Sequence, residues 1–197
     1  ITLSDVMETM SLGPNGSLLY CIDFLDENFD WFCDELVNAV KSVTKPNESM
    51  VPYVIIDCPG QIELYTNHTA LKSFVNKLNS LAKRETPTDG SDGSVGLDVR
   101  LVVVNIVDSH YTNDASKFIS VALNCLNSMI HLEMPHISVL SKVDLIQKYS
   151  KTDFGLDFYC DLLDLNYLVD KVNEQNDPFL AKYKKLTAAL AGVIEDY

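Results

Sequence analysis

Asp57-Cys58-Pro59-Gly60-Gln61 puts a carboxylate three residues before a glycine and an amide directly after it. At the carboxyl end of a parallel strand, such an Asp can hold Mg²⁺, usually through a water, while the Gly60 N–H faces a terminal phosphate. Gln61 can orient an attacking water, whose in-line position is most of what phosphoryl transfer asks of a protein. The same residues also suit a strand that ends in a plain Pro-Gly turn. A second run, Ser141-Lys142-Val143-Asp144, forms an x-K-x-D tetrad. The Asp144 carboxylate can accept both the ring N–H and the exocyclic amine of guanine, whereas adenine leaves it unpaired. Lys142 can lay its aliphatic stem along the purine. A K-x-D after a strand equally describes a solvated helix start. Finding D-x-x-G before x-K-x-D, each ending a predicted strand with one strand between, favours nucleotide chemistry over two unrelated turns. Gly13-Pro14-Asn15-Gly16, taken alone, is a tight turn.

Both motifs need strands to carry them. Tyr53–Asp57, Val99–Val107 and His136–Leu140 are rich in β-branched residues and apolar throughout rather than alternating, the pattern of strands buried on both faces of a parallel sheet. Helical periodicity lies between them, in Leu71, Phe74, Val75, Leu78, Leu81 and Ala82 and again from Phe118 to Ile130. Strand, helix, strand, helix, strand is α/β alternation. The three strands are expected side by side and parallel, with Asp57 and Ser141–Asp144 at one carboxyl edge. An earlier helix is marked by Phe29, Phe32, Leu36 and Val40, and a later one starts at Asp177-Pro178. Residues 84–98 carry Gly, Ser, Thr and Asp without apolar periodicity and are predicted as a flexible loop inserted within a single domain spanning 1–197. The aromatic stretch Phe154–Tyr167 is predicted as a lid or subdomain packing on the sheet edge.

The chain has 197 residues, 47% of them apolar, enough for one domain with a full core. Fifteen basic against 28 acidic side chains give a net charge of −13, which argues against direct binding to nucleic acid or to anionic membranes. No apolar run is long enough to span a bilayer. Five cysteines without a C-x-x-C pair fit reduced thiols better than a disulfide framework or a zinc site. Asp108-Ser109-His110 contains the residue types of a hydrolase triad, but neighbours at a strand end cannot all converge. His131 and His136 lack a third ligand nearby in sequence. Trp31 reads as core or dimer-interface packing.

The Leu-Gly-Pro-Asn-Gly frame around Asn15, Leu19-Tyr20-Cys21 after it, and DCPGQIEL at Asp57–Leu64 together resemble the GPN-loop GTPases. The resemblance extends through Val107–Tyr111, Lys117–Ser120, Leu132–His136 and Ser141–Leu145. It implies a P-loop NTPase-like, G-domain-type fold with a mostly parallel sheet flanked by helices. It also implies dimers, with the Gly13-Pro14-Asn15 loop of one subunit reaching the γ-phosphate site of the other, so that the Asn15 amide acts in trans. Asp57 would be the Mg²⁺ residue, Gly60 a phosphate contact and Gln61 the water-positioning residue. Ser141, Lys142, Val143 and Asp144 would hold the guanine of GTP. Ser stands where many small GTPases have Asn, and a hydroxyl makes fewer bridging bonds than an amide.

No G-x-x-x-x-G-K-[ST] loop occurs between Ile1 and Tyr197. By resemblance it lies upstream of the GPN loop, and a further guanine-contacting strand follows downstream. The chain is therefore expected to be incomplete at both ends and, as given, to bind GTP poorly. Family members form homodimers or heterodimers with paralogues and act in the assembly and nuclear import of RNA polymerases II and III, from the cytoplasm with shuttling to the nucleus. The alternative is a module that dimerises and recruits partners without turnover.

Overall fold

A computed structural model describes residues 2–43, 52–82, 100–149, 152–162, 164–174 and 182–197. The 84–98 loop and the Asp177-Pro178 helix start lie outside the described residues. The chain divides into two compact units, residues 1–101 and 102–197.

In the first unit, α1 (Leu3–Met10) opens with a reciprocal capping box between Thr2 and Asp5. It closes at Ser11 in the left-handed region, φ 54°. Helix α2 (Pro14–Glu27) begins with Gly13 as N-cap and Pro14 in its first turn, where the missing proline N–H costs nothing. After α2 come α3 (Phe29–Val43), the single turn α4 (Glu63–Thr66) and α5 (Thr69–Ala82). Ile22, Leu64, Ala70 and Leu71 bury together, with Leu18 and Tyr65 packed against them. Phe74 on α5 meets Phe29 and Phe32 edge-on, at centroid distances of 5.6 and 5.0 Å, the arrangement aromatic quadrupoles favour. Lys77 extends over Phe29 to the Asp26 carboxylate at 2.8 Å and also donates to the Asp26 carbonyl.

Tyr53–Asp57 is not a strand, contrary to the expectation from its composition. Tyr53 is 97% and Ile55 93% exposed. Strand propensity measures fit to a pleated, half-buried surface, and no strand occurs among the described residues of this unit to supply one. Trp31 is more than half exposed, so it is not a core residue.

The second unit holds a parallel pair, β1 (Val103–Asp108) and β2 (His136–Ser141), in register from Val103↔His136 to Asp108↔Ser141. Helix α6 (Ala115–Leu132) connects them. Its N-cap Asp114 accepts from the Lys117 N–H at 3.0 Å, and the chain leaves through Glu133 at φ 54°. Further on are α7 (Ile146–Tyr149), α8 (Leu156–Asp161), α9 (Asn166–Glu174) and α10 (Lys184–Glu195). The core is built by α6 rather than by the strands: Phe118, Ile119, Ala122 and Leu126 pack with Tyr159, Leu165, Leu168, Val172, Ala191 and Ile194.

Two sequence expectations change here. The aromatic stretch 154–167 is no lid on a sheet edge, because Tyr159 sits edge-on to Phe118 at 4.9 Å and Leu165 is fully buried in this core. Burial on both sheet faces is also not observed. Val104, Ile106, Ile137 and Val139 project to one side and are exposed, Ile106 by 68%, while alternate residues such as Val103 and Val107 are partly covered. The period of two along each strand sorts apolar side chains onto opposite faces, whatever the composition. Among the described residues no helix is long and apolar enough to cross a membrane.

Candidate functional site

In the second unit the parallel register brings the carboxyl ends of β1 and β2 level, Asp108 opposite Ser141. Three side chains then tie these ends together. The Ser141 hydroxyl donates to the Val107 carbonyl at 3.1 Å. The Ser109 hydroxyl, on a residue 1% exposed, donates to the Lys142 carbonyl at 2.8 Å. The Lys142 ammonium lies 2.7 Å from Asp108 Oδ2.

Lys142 itself is left-handed, φ 57°, a conformation rare for residues with a side chain. Its carbonyl also accepts the Leu145 N–H at 2.9 Å, which closes the 3₁₀ turn Val143–Leu145. Asp144 sits in that turn with its side chain exposed. A carboxylate presented this way, beside a lysine stem running back to the strand end, can take two parallel N–H donors from one edge of a planar base. Both oxygens of Asp108 are engaged, since Oδ1 accepts the His110 N–H at 2.9 Å. The Lys142 ammonium, with help from that amide, holds the Asp108 carboxyl below the usual carboxylate range. The pair thus stays charged at neutral pH and loosens only as pH falls through that lowered value.

Asp108 and Ser109 were not among the predicted base-site residues. Their signal was indirect: they end the strand that neighbours the K-x-D strand. The same contacts dispose of a hydrolase triad, because Asp108 accepts from the His110 backbone and the Ser109 hydroxyl is committed to a carbonyl. No cluster of potential metal ligands involving His131 or His136 occurs among the described residues.

In the first unit, Gly13 is extended at φ −71°, ψ 167°, and accepts the Ser17 N–H through its carbonyl at 2.9 Å. Ser17 is buried, and its hydroxyl reaches the Leu12 carbonyl. Pro14 and Asn15 stand exposed on the first turn of α2, whose N-cap residue Gly13 supplies no side-chain cap. Asp57, Gly60 and Gln61 are likewise exposed. The segment is tied down at Pro59, whose carbonyl accepts a short hydrogen bond from the Tyr65 hydroxyl. Burial, followed by the nearby Cys58 and Asp57, raises the Tyr65 phenol far above its ordinary range, so it stays a donor. A Cβ at Gly60 would meet nothing within 4 Å. Asn15, Asp57 and Gln61 thus belong to the first unit, and Ser141–Asp144 to the second.

The fold is α/β with a parallel sheet flanked by helices, the class of the P-loop NTPases. Within that class the chain belongs to the family described as "Conserved hypothetical ATP binding protein", whose family model matches residues 1–87 and 93–197. It is 43% identical over 195 residues to GPN-loop GTPase 2 of Xenopus laevis, covering 99% of this chain and 52% of the relative. To GPN-loop GTPase QQT1 of Arabidopsis thaliana it is 41% identical over 197 residues, covering 100% of this chain and 57% of the relative. GPN-loop GTPase 2 of Saccharomyces cerevisiae is 34% identical over 198 residues, with 100% of this chain and 51% of the relative covered. The chain spans about half the length of these curated relatives. No solved structure matches.

Proposed function

We propose that this chain is the part of a GTP-binding, GTP-hydrolysing switch that reads the guanine base and positions the hydrolytic water. The observation that carries this is the turn at Lys142–Asp144, locked left-handed at the level ends of two parallel strands with its carboxylate exposed. A carboxylate there pairs with the two adjacent donors on guanine, whereas adenine sets one donor beside an acceptor that faces the second oxygen, so GTP rather than ATP is the substrate, in line with the relatives' names.

Lys142 would flank the purine and Val143 span the turn. The Ser141 hydroxyl, already given to Val107, would support the turn rather than bridge to the phosphate side. Asp57 is an exposed carboxylate with room around it, fit for the outer coordination sphere of a nucleotide-bound Mg²⁺. That ion would offset charge on the β- and γ-phosphates. Gly60, open on its Cβ side, would let backbone approach the γ-phosphate, and Gln61 would orient water. Asn15, exposed on an uncapped helix start, would offer its amide to a second subunit's γ-phosphate within a homodimer or a heterodimer of paralogues. By family resemblance the switch would serve RNA polymerase II and III assembly and nuclear localisation from the cytoplasm.

Calorimetry on the full-length protein tests the base assignment. Asp144→Asn should weaken GTP by about 2–4 kcal/mol, because an amide pairs badly with two donors and the charge is lost. Val143→Ala should change it far less. Equal GTP affinity for wild type and Asp144→Asn would remove Asp144 from the site.

A further inference from the structure

We infer that Asp108 is a positioning residue for base recognition, acting through Lys142 to set where the Asp144 carboxylate stands; this rests on the guanine-site assignment above. An exposed ion pair is ordinarily worth little, and Lys142 and Asp108 are both partly exposed. Three features separate this pair from a chance surface contact. Asp108 is immobilised by its second oxygen, which closes a turn on the His110 N–H. Its partner lies 34 residues away in sequence on the adjacent strand end, so the bond crosses between the elements that form the site. Lys142 is held in a left-handed conformation with its carbonyl fixed by Ser109 and its ammonium by Asp108. The residue is clamped at both ends by consecutive residues of β1's exit. Asp144 is two residues further on, inside the turn that Lys142 closes. A shift of Lys142 therefore moves the guanine acceptor directly, whereas removal of a remote surface charge would not.

Asp108→Asn isolates the ionic contact, because the amide oxygen can keep the His110 N–H while the NH2 group that replaces the second oxygen is a donor and offers the ammonium nothing. The experiment is titration of the full-length protein with fluorescent GDP and its competition by GDP and by inosine diphosphate, which lacks the exocyclic amine. Asp108→Asn should weaken GDP about three- to fivefold, the worth of one charged pair, and weaken inosine diphosphate less, since a misplaced Asp144 forfeits the amine contact that inosine never makes. In a Lys142→Ala background, Asp108→Asn should add no further loss. Undiminished GDP affinity, equal losses for GDP and inosine diphosphate, or a loss that persists without Lys142 would overturn the role of Asp108. Asp144→Asn with xanthosine diphosphate separates the two levels of inference. Xanthine replaces the amine by a carbonyl that an Asn amide can satisfy, so a gain of xanthosine diphosphate binding keeps the base site and leaves only Asp108 in question. No gain would overturn the base site and the Asp108 role with it.

Discussion

Ser141–Asp144 rises from two hydrogen-bonded strands whose ends are cross-linked by Ser109, Asp108 and Ser141 itself, whereas Asp57–Gln61 follows a run of residues outside any helix or strand. Both motifs follow β-branched runs and both end in a turn. The difference is the neighbour. β2 lies in register with β1, and the intervening helix α6 carries a core that holds the pair in place. Tyr53–Asp57 has no strand to pair with among the described residues of its own unit, and its apolar side chains are exposed. A site motif is placed by what its carrier strand pairs with, not by its own residues.

The largest effect that sharpens this comparison should come from the support of the Lys142–Leu145 turn. Phe118→Ala, which empties the position edge-on to Tyr159, should cost about 3–5 kcal/mol of stability in urea denaturation, as buried aromatic truncations do. A loss below about 1 kcal/mol would mean that α6 does not anchor the sheet. Next in size, Ser109→Ala removes one of the two donors to the Lys142 carbonyl, which keeps the Leu145 N–H, and should cost about 0.5–1.5 kcal/mol. Hydrogen exchange should then quicken at Leu145, whose amide closes the same turn, and stay unchanged around Gln61. Equal quickening at both would dissolve the distinction between the two regions. The smallest effect belongs to the other motif. Ile55→Ala, at a side chain 93% exposed, should alter stability by no more than about 0.5 kcal/mol. A loss of about 1.5 kcal/mol or more would place Ile55 in a buried strand of the full-length protein, as its composition predicts, and the contrast drawn here would end.

Much was legible from residue types alone. Periodicity at 118–130 predicted α6, and the β-branched run at 136–140 predicted β2 to within a residue. The x-K-x-D tetrad marked the turn where Asp144 now stands, whereas Gly13–Gly16, which reads as a tight turn, opens helix α2 instead. The features that were legible are local properties: helix spacing, a β-branched run, and a carboxylate at a fixed offset from a strand are all decided within a few residues of chain.

Three features were decided only by tertiary structure. Whether Tyr53–Asp57 becomes a strand depends on a pairing partner that its own sequence cannot supply, because ladder hydrogen bonds come from another segment. The aromatics of 154–167 went to the α6 core and not to a sheet edge, since a cluster of large apolar side chains packs wherever the most water can be excluded. Asp108 met Lys142 because parallel register set its carboxylate opposite Ser141, within reach of a lysine 34 residues away. Sequence determines which groups are available and how each short segment bends; distance between remote segments is a property of packing, and the charge on Asp108 acquires its partner only there.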